Sequence, residues 1–179
     1  MVLGRFFSIG YGSNTQEAVL ERLRLTGVKY LIDVRSMPYS KFQPDFSREP
    51  LSMALQNAEI KYVFMGDVLG GRPTDDECYT DGKVDYEKVR AKDFFRHGIT
   101  RLKRAYEQSL AVCLFCSEGH PSQCHRAKLI AVALSDDGID VTHILPDGSA
   151  LSQSQVIDQL TDRQTSFFEE SFTSRKKYR

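Results

Sequence analysis

The chain reads as an α/β protein, a single-domain three-layer sandwich with a mostly parallel five-stranded sheet and helices on both faces. Three observations predict this. Short β-branched apolar runs recur along the 179 residues, and segments with helical spacing separate them. The runs are apolar throughout rather than alternating, as strands covered on both faces are.

The elements follow in order. RFFSIGYG is a buried strand ending in glycines. TQEAVLERLRLTG carries Val19, Leu20 and Leu23 at helical spacing, with Thr15 as cap and Gly27 as stop. VKYLIDVRS is the second strand. The loop SMPYSKFQPDFSREP, rich in Pro and aromatics, leads into the helical LSMALQNA. IKYVFMGDVLGG reads as a third strand ending in a glycine pair. The polar connection from Arg72 to Phe94 is too long for a simple loop, so it is expected to cover or gate something. FFRHGITRLKRAYEQS is helical and LAVCLFCSEG is a fully apolar fourth strand. SQCHRAKLIAVALSDDG is a helix with Ser122 as its cap and Gly138 past its end. IDVTHILPDG is the fifth strand and SQSQVIDQLTDRQ the last helix. The domain is thus expected over residues 1–160, Rossmann-like in outline, with a polar and basic tail at 161–179.

Composition narrows the class. Hydrophobic residues make up 41% and charged ones 27%, an ordinary globular balance. Lys plus Arg and Asp plus Glu are both 24, so any attraction for anions must come from a local patch. No apolar run reaches the roughly 20 residues of a membrane span, and MVLGRFFSIGYG lacks the pattern of a secretory signal. A cytoplasmic location is expected, with Cys78, Cys113, Cys116 and Cys124 as thiols.

Ligands of open parallel sheets bind beyond the carboxyl ends of the strands. After the first strand here come Gly10, Tyr11, Gly12 and Ser13; after the second, Arg35 and the loop leading to Arg48. After the third come Gly70, Gly71 and Arg72; after the fourth, Cys116, Glu118, His120, Cys124, His125 and Arg126. The candidate anion-binding set is therefore Ser13, Arg35, Arg48, Gly70, Gly71, Arg72 and Arg126, since forked guanidinium groups suit phosphate or carboxylate. The plainer reading of Arg35 is an ion pair with Asp33 or Glu118. The candidate catalytic set is Cys116, Glu118, Cys124 and His125. Cys124 and His125 fall in the first turn of the expected helix, where exposed N–H groups favour an anion or a thiolate. Simple packing is the competing reading for Cys124.

No metal is assigned. Zinc commonly uses ligand pairs two to four residues apart, whereas Cys116 and Cys124 are separated by seven. Adjacent Cys124 and His125 would diverge by about 100° around a helix, which leaves Cys116, His120 and Cys124 as the only zinc set, and not a favoured one.

These motifs together resemble a widespread prokaryotic family known as domain of unknown function 488, over about residues 6 to 146. The quoted matches are GYGSN after the first strand, Asp33-Val34-Arg35 ending the second, and Gly70-Gly71 after the third. Cys116 and Glu118, then Cys124-His125-Arg126, follow the fourth. Where that family often has a histidine before the serine, this chain has Tyr11 and Gly12. The resemblance implies an α/β fold and a shared pocket, and no particular reaction. A weaker likeness to rhodaneses rests on the Asp-Val-Arg strand end and a later cysteine loop. The basic residue that rhodaneses carry five positions after the cysteine is Pro121 here.

Three functions follow as expectations. The first is an enzyme acting on a phosphate-bearing substrate, a nucleotide or nucleic-acid end. The second is thiol-dependent sulfur transfer or redox chemistry at Cys124 or Cys116. The third is a non-catalytic module that binds nucleic acid or a nucleotide through the same arginines. The basic end Arg175-Lys176-Lys177-Tyr178-Arg179 leans toward nucleic acid.

Overall fold

A computed structural model describes residues 5–161 and 172–179. The first strand, β1 (Arg5–Gly10), feeds helix α1 (Gln16–Thr26), which returns to strand β2 (Tyr30–Asp33). Thr15 caps α1 by accepting from the Ala18 amide at 3.2 Å, and Gly27 ends it in the left-handed region at φ 69°. Helix α2 (Arg48–Asn57) and strand β3 (Lys61–Phe64) follow. The apolar run after β3 does not stay extended. Gly66–Leu69 turn into the short helix α3, because a side chain at Gly66 would run into the Arg35 carbonyl and only glycine allows that approach.

The long polar connection folds into strands β4 (Tyr79–Thr80) and β5 (Lys83–Asp85) and helix α4 (Tyr86–Arg90). Helix α5 (Asp93–Glu107) leads to the central strand β6 (Ala111–Cys116). A π-helix, Arg126–Ala131, continues directly into α6 (Val132–Asp136), and strand β7 (Val141–Ile144) follows. The chain then adds strand β8 (Ala150–Ser152), helix α7 (Gln153–Thr161) and strand β9 (Thr173–Lys177).

The main sheet has six strands rather than five, in the order β3-β2-β6-β1-β7-β8. Five are parallel, and β8 is added antiparallel on β7. The additional strand is only three residues long, in a stretch whose sequence reads as loop and helix start. Alternate residues serve opposite faces. Val112, Leu114 and Cys116 of β6 pack with α5 and α6, while Cys113 and Phe115 pack with α1 and α2. The three layers arise from this alternation.

A second sheet, β4-β5-β9, lies outside the main one. Val84 of β5, Cys78 just before β4, and Tyr86 and Val89 of α4 join the core on the α5 side. In the basic C-terminal end Thr173–Lys177 form strand β9, with Arg175 to Arg179 exposed. Lys83 pairs with Lys177 and Asp85 with Thr173, and the Ser174 hydroxyl accepts from the Val84 amide at 2.9 Å. Among the described residues no helix is long and apolar enough to cross a membrane.

Candidate functional site

The carboxyl ends of β1, β2 and β6 meet at a cavity of about 440 Å³, within the usual size range of small-molecule sites. Tyr11 enters it after β1, Arg35 and Ser36 after β2, and Cys116 to Glu118 at the end of β6. Gly71 and Arg72 close one side, and Arg175 and Lys176 of β9 with Tyr178 just after it close another.

Arg35 is 5% exposed and Asp33 fully buried. Arg35 donates to Asp33 through Nε at 2.9 Å and Nη2 at 2.6 Å, and the Tyr62 hydroxyl donates to the same carboxylate at 2.7 Å. The guanidinium also lies 4.9 Å from the Phe115 ring centre and 5.8 Å from that of Tyr11, whose ring stacks on Phe46. Burial works against the charge of Arg35. The Asp33 carboxylate outweighs that, with a smaller contribution from Tyr11, and the guanidinium is held above its ordinary value. Burial beside Asp33 likewise pushes the Tyr62 phenol up. Two of the three guanidinium nitrogens are thus committed, while Nη1 is buried with no hydrogen-bond partner among the described residues.

The arrangement after β6 departs from the expected helix start. Pro121–Gln123 form a single 3₁₀ turn, and Cys124 is extended at φ −124° and ψ 143°. His125, not Ser122, stands at the helix start, and the Ser122 hydroxyl is bonded to His120 Nδ1 at 2.8 Å. Because Cys124 lies outside the helix, the 100° divergence expected between it and His125 does not arise. The Sγ atoms of Cys116 and Cys124 and Nδ1 of His125 lie within 4.8 Å of one another, all buried. Nδ1 is 3.9 Å from Cys116 Sγ and 3.7 Å from Cys124 Sγ. Nε2 is 3.0 Å from the Val34 carbonyl, which only accepts, so the proton sits on Nε2. Glu118 accepts from the Cys116 thiol at 3.1 Å and the Ser117 hydroxyl at 3.2 Å. Burial opposes a charge on either sulfur. Cys124 nevertheless has Cys116, Arg126 and His125 beside it, and its thiol is held below the ordinary value. Its neighbour Cys116 is pushed above.

Arg126 does not face the cavity. It is fully buried, with Nη1 donating to the Glu118 carbonyl at 2.6 Å, Nη2 to the Gly119 carbonyl at 2.8 Å and Nε to the Ser8 hydroxyl at 3.1 Å. It therefore fixes the loop between Cys116 and Cys124, and all three of its nitrogens are spent. Arg48 opens α2 on the surface with its guanidinium 5.2 Å from the Phe64 ring centre, and Ser13 is exposed; neither lines the cavity. Gly70 packs against Ser36 and the Gly66 carbonyl, while Gly71 leaves room for the His125 ring, which a side chain there would meet at 2.7 Å.

The sequence-selected residues that meet at the cavity are Arg35, Gly71, Arg72, Cys116, Glu118 and His125, with Cys124 immediately behind His125. The aromatic and basic loop Met37–Phe42 and the C-terminal Arg175 and Lys176 were not selected. The loop's exposed aromatics were a usable signal: Tyr39 is 68% and Phe42 91% exposed.

The family described as "Domain of unknown function DUF488" matches residues 15–133. No curated protein matches the chain. No solved structure does either, so the weaker likeness to rhodaneses gains no support.

Proposed function

The chain belongs to the domain of unknown function 488 family, and from the geometry of its cavity we propose an enzyme that acts on a phosphate-bearing substrate, a nucleotide or nucleic-acid end. One observation carries the reading: in the wall of the cavity Arg35 is held by Asp33 and keeps a buried Nη1 that has no hydrogen-bond partner among the described residues. A buried N–H without an acceptor is costly, and an oxyanion relieves it. The surrounding charge agrees. Arg35, Lys41, Arg72, Arg175 and Lys176 line the cavity, with Glu118 the single carboxylate among the described residues of its wall, although the whole chain is neutral. Arg72 is exposed, with its guanidinium 5.4 Å from the Tyr178 ring centre, and can swing onto a ligand.

The class of substrate follows from the rim. Tyr39 and Phe42 stand exposed beside Lys41, the pairing of flat rings and cations that holds unpaired bases. The phosphate goes to Arg35 and Arg72 and the base to these rings. Glu118, the only carboxylate among the described residues of the wall, is the group that moves a proton.

A thermal-shift comparison of nucleosides with their 5′-phosphates and with 5′-phosphorylated single strands tests the reading. Phosphate-bearing ligands raise the melting temperature and nucleosides do not. Phe42→Ala weakens nucleotides more than inorganic phosphate. Where turnover is found, Glu118→Gln lowers it at least 100-fold with little change in binding. Equal stabilisation by a nucleoside and its phosphate contradicts the proposal.

A further inference from the structure

The three donors behind the cavity have a spacing that two thiols and an imidazole packed at random do not require. A tetrahedral zinc ion with Zn–S near 2.3 Å and Zn–N near 2.0–2.1 Å separates sulfur from nitrogen by about 3.6 Å. The two sulfur-to-Nδ1 distances are 3.9 and 3.7 Å. We propose that Cys116 Sγ, Cys124 Sγ and His125 Nδ1 bind one divalent ion of the zinc class, with the fourth position open to the cavity beside Glu118.

Three further features support the set. His125 donates Nε2–H to the Val34 carbonyl, which leaves the Nδ1 lone pair aimed at the sulfurs, the outer-shell arrangement usual for metal-bound histidine. The Arg126 amide donates to Cys124 Sγ at 3.5 Å, a bond that favours a thiolate ligand. The loop between the two cysteines is already held by Arg126 through the Glu118 and Gly119 carbonyls, so the donors stand together before any ion arrives. Two soft sulfurs and one imidazole select zinc or cobalt over magnesium or calcium. Three protein ligands with a fourth place facing a cavity is the pattern of a catalytic rather than a purely structural ion. Cys116, Glu118 and His125 all line that cavity.

The site stands apart from the oxyanion reading, because it is tested with no substrate present. The full chain, purified under reducing conditions and stripped with a chelator, is titrated with cobalt(II). The expected result is one ion per chain, with the visible bands of a tetrahedral ion and a thiolate-to-cobalt band in the ultraviolet, and zinc displaces it. Cys116→Ser and Cys124→Ser each weaken binding at least 100-fold, while Cys78→Ala, outside the donor set, leaves it unchanged. Should a serine variant fail to fold, the wild-type spectrum alone decides. Cobalt bound without the thiolate band overturns the proposal. So does a wild type that binds no cobalt while all its cysteines are reduced.

Discussion

Arg35 and Asp33 are a buried pair at the end of β2, and the pair is expensive to break from either side. Tyr62 shares the carboxylate, so Tyr62→Phe removes a charge-assisted bond and is expected to cost about 2 kcal/mol in denaturant unfolding. Gly71→Ala pushes a methyl group against the His125 ring. The expected loss is about 1–3 kcal/mol, together with weakened metal binding, as the ring is forced off the Val34 carbonyl. A Gly71→Ala protein with unchanged stability and cobalt spectrum would contradict the placement of that ring. The strand-end rule made Arg35, Cys116 and Glu118 legible in the sequence, because a parallel sheet directs whatever follows its strands to one edge. Arg126 was not legible as a loop tie. Its partners are backbone carbonyls, which no spacing of side-chain types reveals.

At the scale of elements, the C-terminal strand β9 carries the consequence. Its sequence TSRKK is polar and charged, suited to an edge strand, and so lacks the apolar pattern by which a strand is recognised. Beside its pairing with β5, it is held by a buried hydroxyl, Ser174, accepting from the Val84 amide and donating to the Lys176 carbonyl at 2.8 Å. Ser174→Ala leaves the Val84 N–H without its partner and is expected to cost about 1–3 kcal/mol. The check is amide exchange. Val84 exchanges faster in the variant, while Leu114 in the main sheet keeps its protection. The short helix after β3 and the π-helix after His125 escaped the sequence for a related reason. Both are set by close packing, at Gly66 against Arg35 and around the loop that Arg126 ties, rather than by local preference.

At the scale of the whole molecule, a hydrogen-bond chain on the α6 face of the sheet ties β1 and β7 to the π-helix and sets an acid limit on stability. Arg126 Nε donates to Ser8 Oγ at 3.1 Å, and Ser8 Oγ lies 2.6 Å from His143 Nδ1. His143 Nε2 lies 2.6 Å from Gln153 Oε1, and Gln153 Nε2 donates to the Ala127 carbonyl at 3.0 Å. The chain closes with His143 neutral, and a second proton on the ring would face the hydroxyl already oriented toward it. Burial, with the nearby Arg126 cation, pushes the His143 value down to about 4. The unfolded chain takes up that proton near pH 6.5, so acid favours unfolding. Stability is full above pH 6.5 and falls by about 3 kcal/mol as the pH drops from there toward 4. Denaturant unfolding of His143→Gln against pH checks this: the variant is less stable at neutrality, and the His143 share of the slope between those pH values is gone.

The oxyanion site depends above all on Nη1 of Arg35, which has no hydrogen-bond partner among the described residues. Calorimetric titration of a nucleoside 5′-phosphate into the wild type and into Arg35→Lys, with circular dichroism to show that both are folded, tests it most directly. Lysine keeps the charge beside Asp33 but has no fork with which to hold the carboxylate and an oxyanion together. The predicted result is saturable binding to the wild type and at least a tenfold loss in Arg35→Lys. Equal affinity in the two proteins would contradict the oxyanion site.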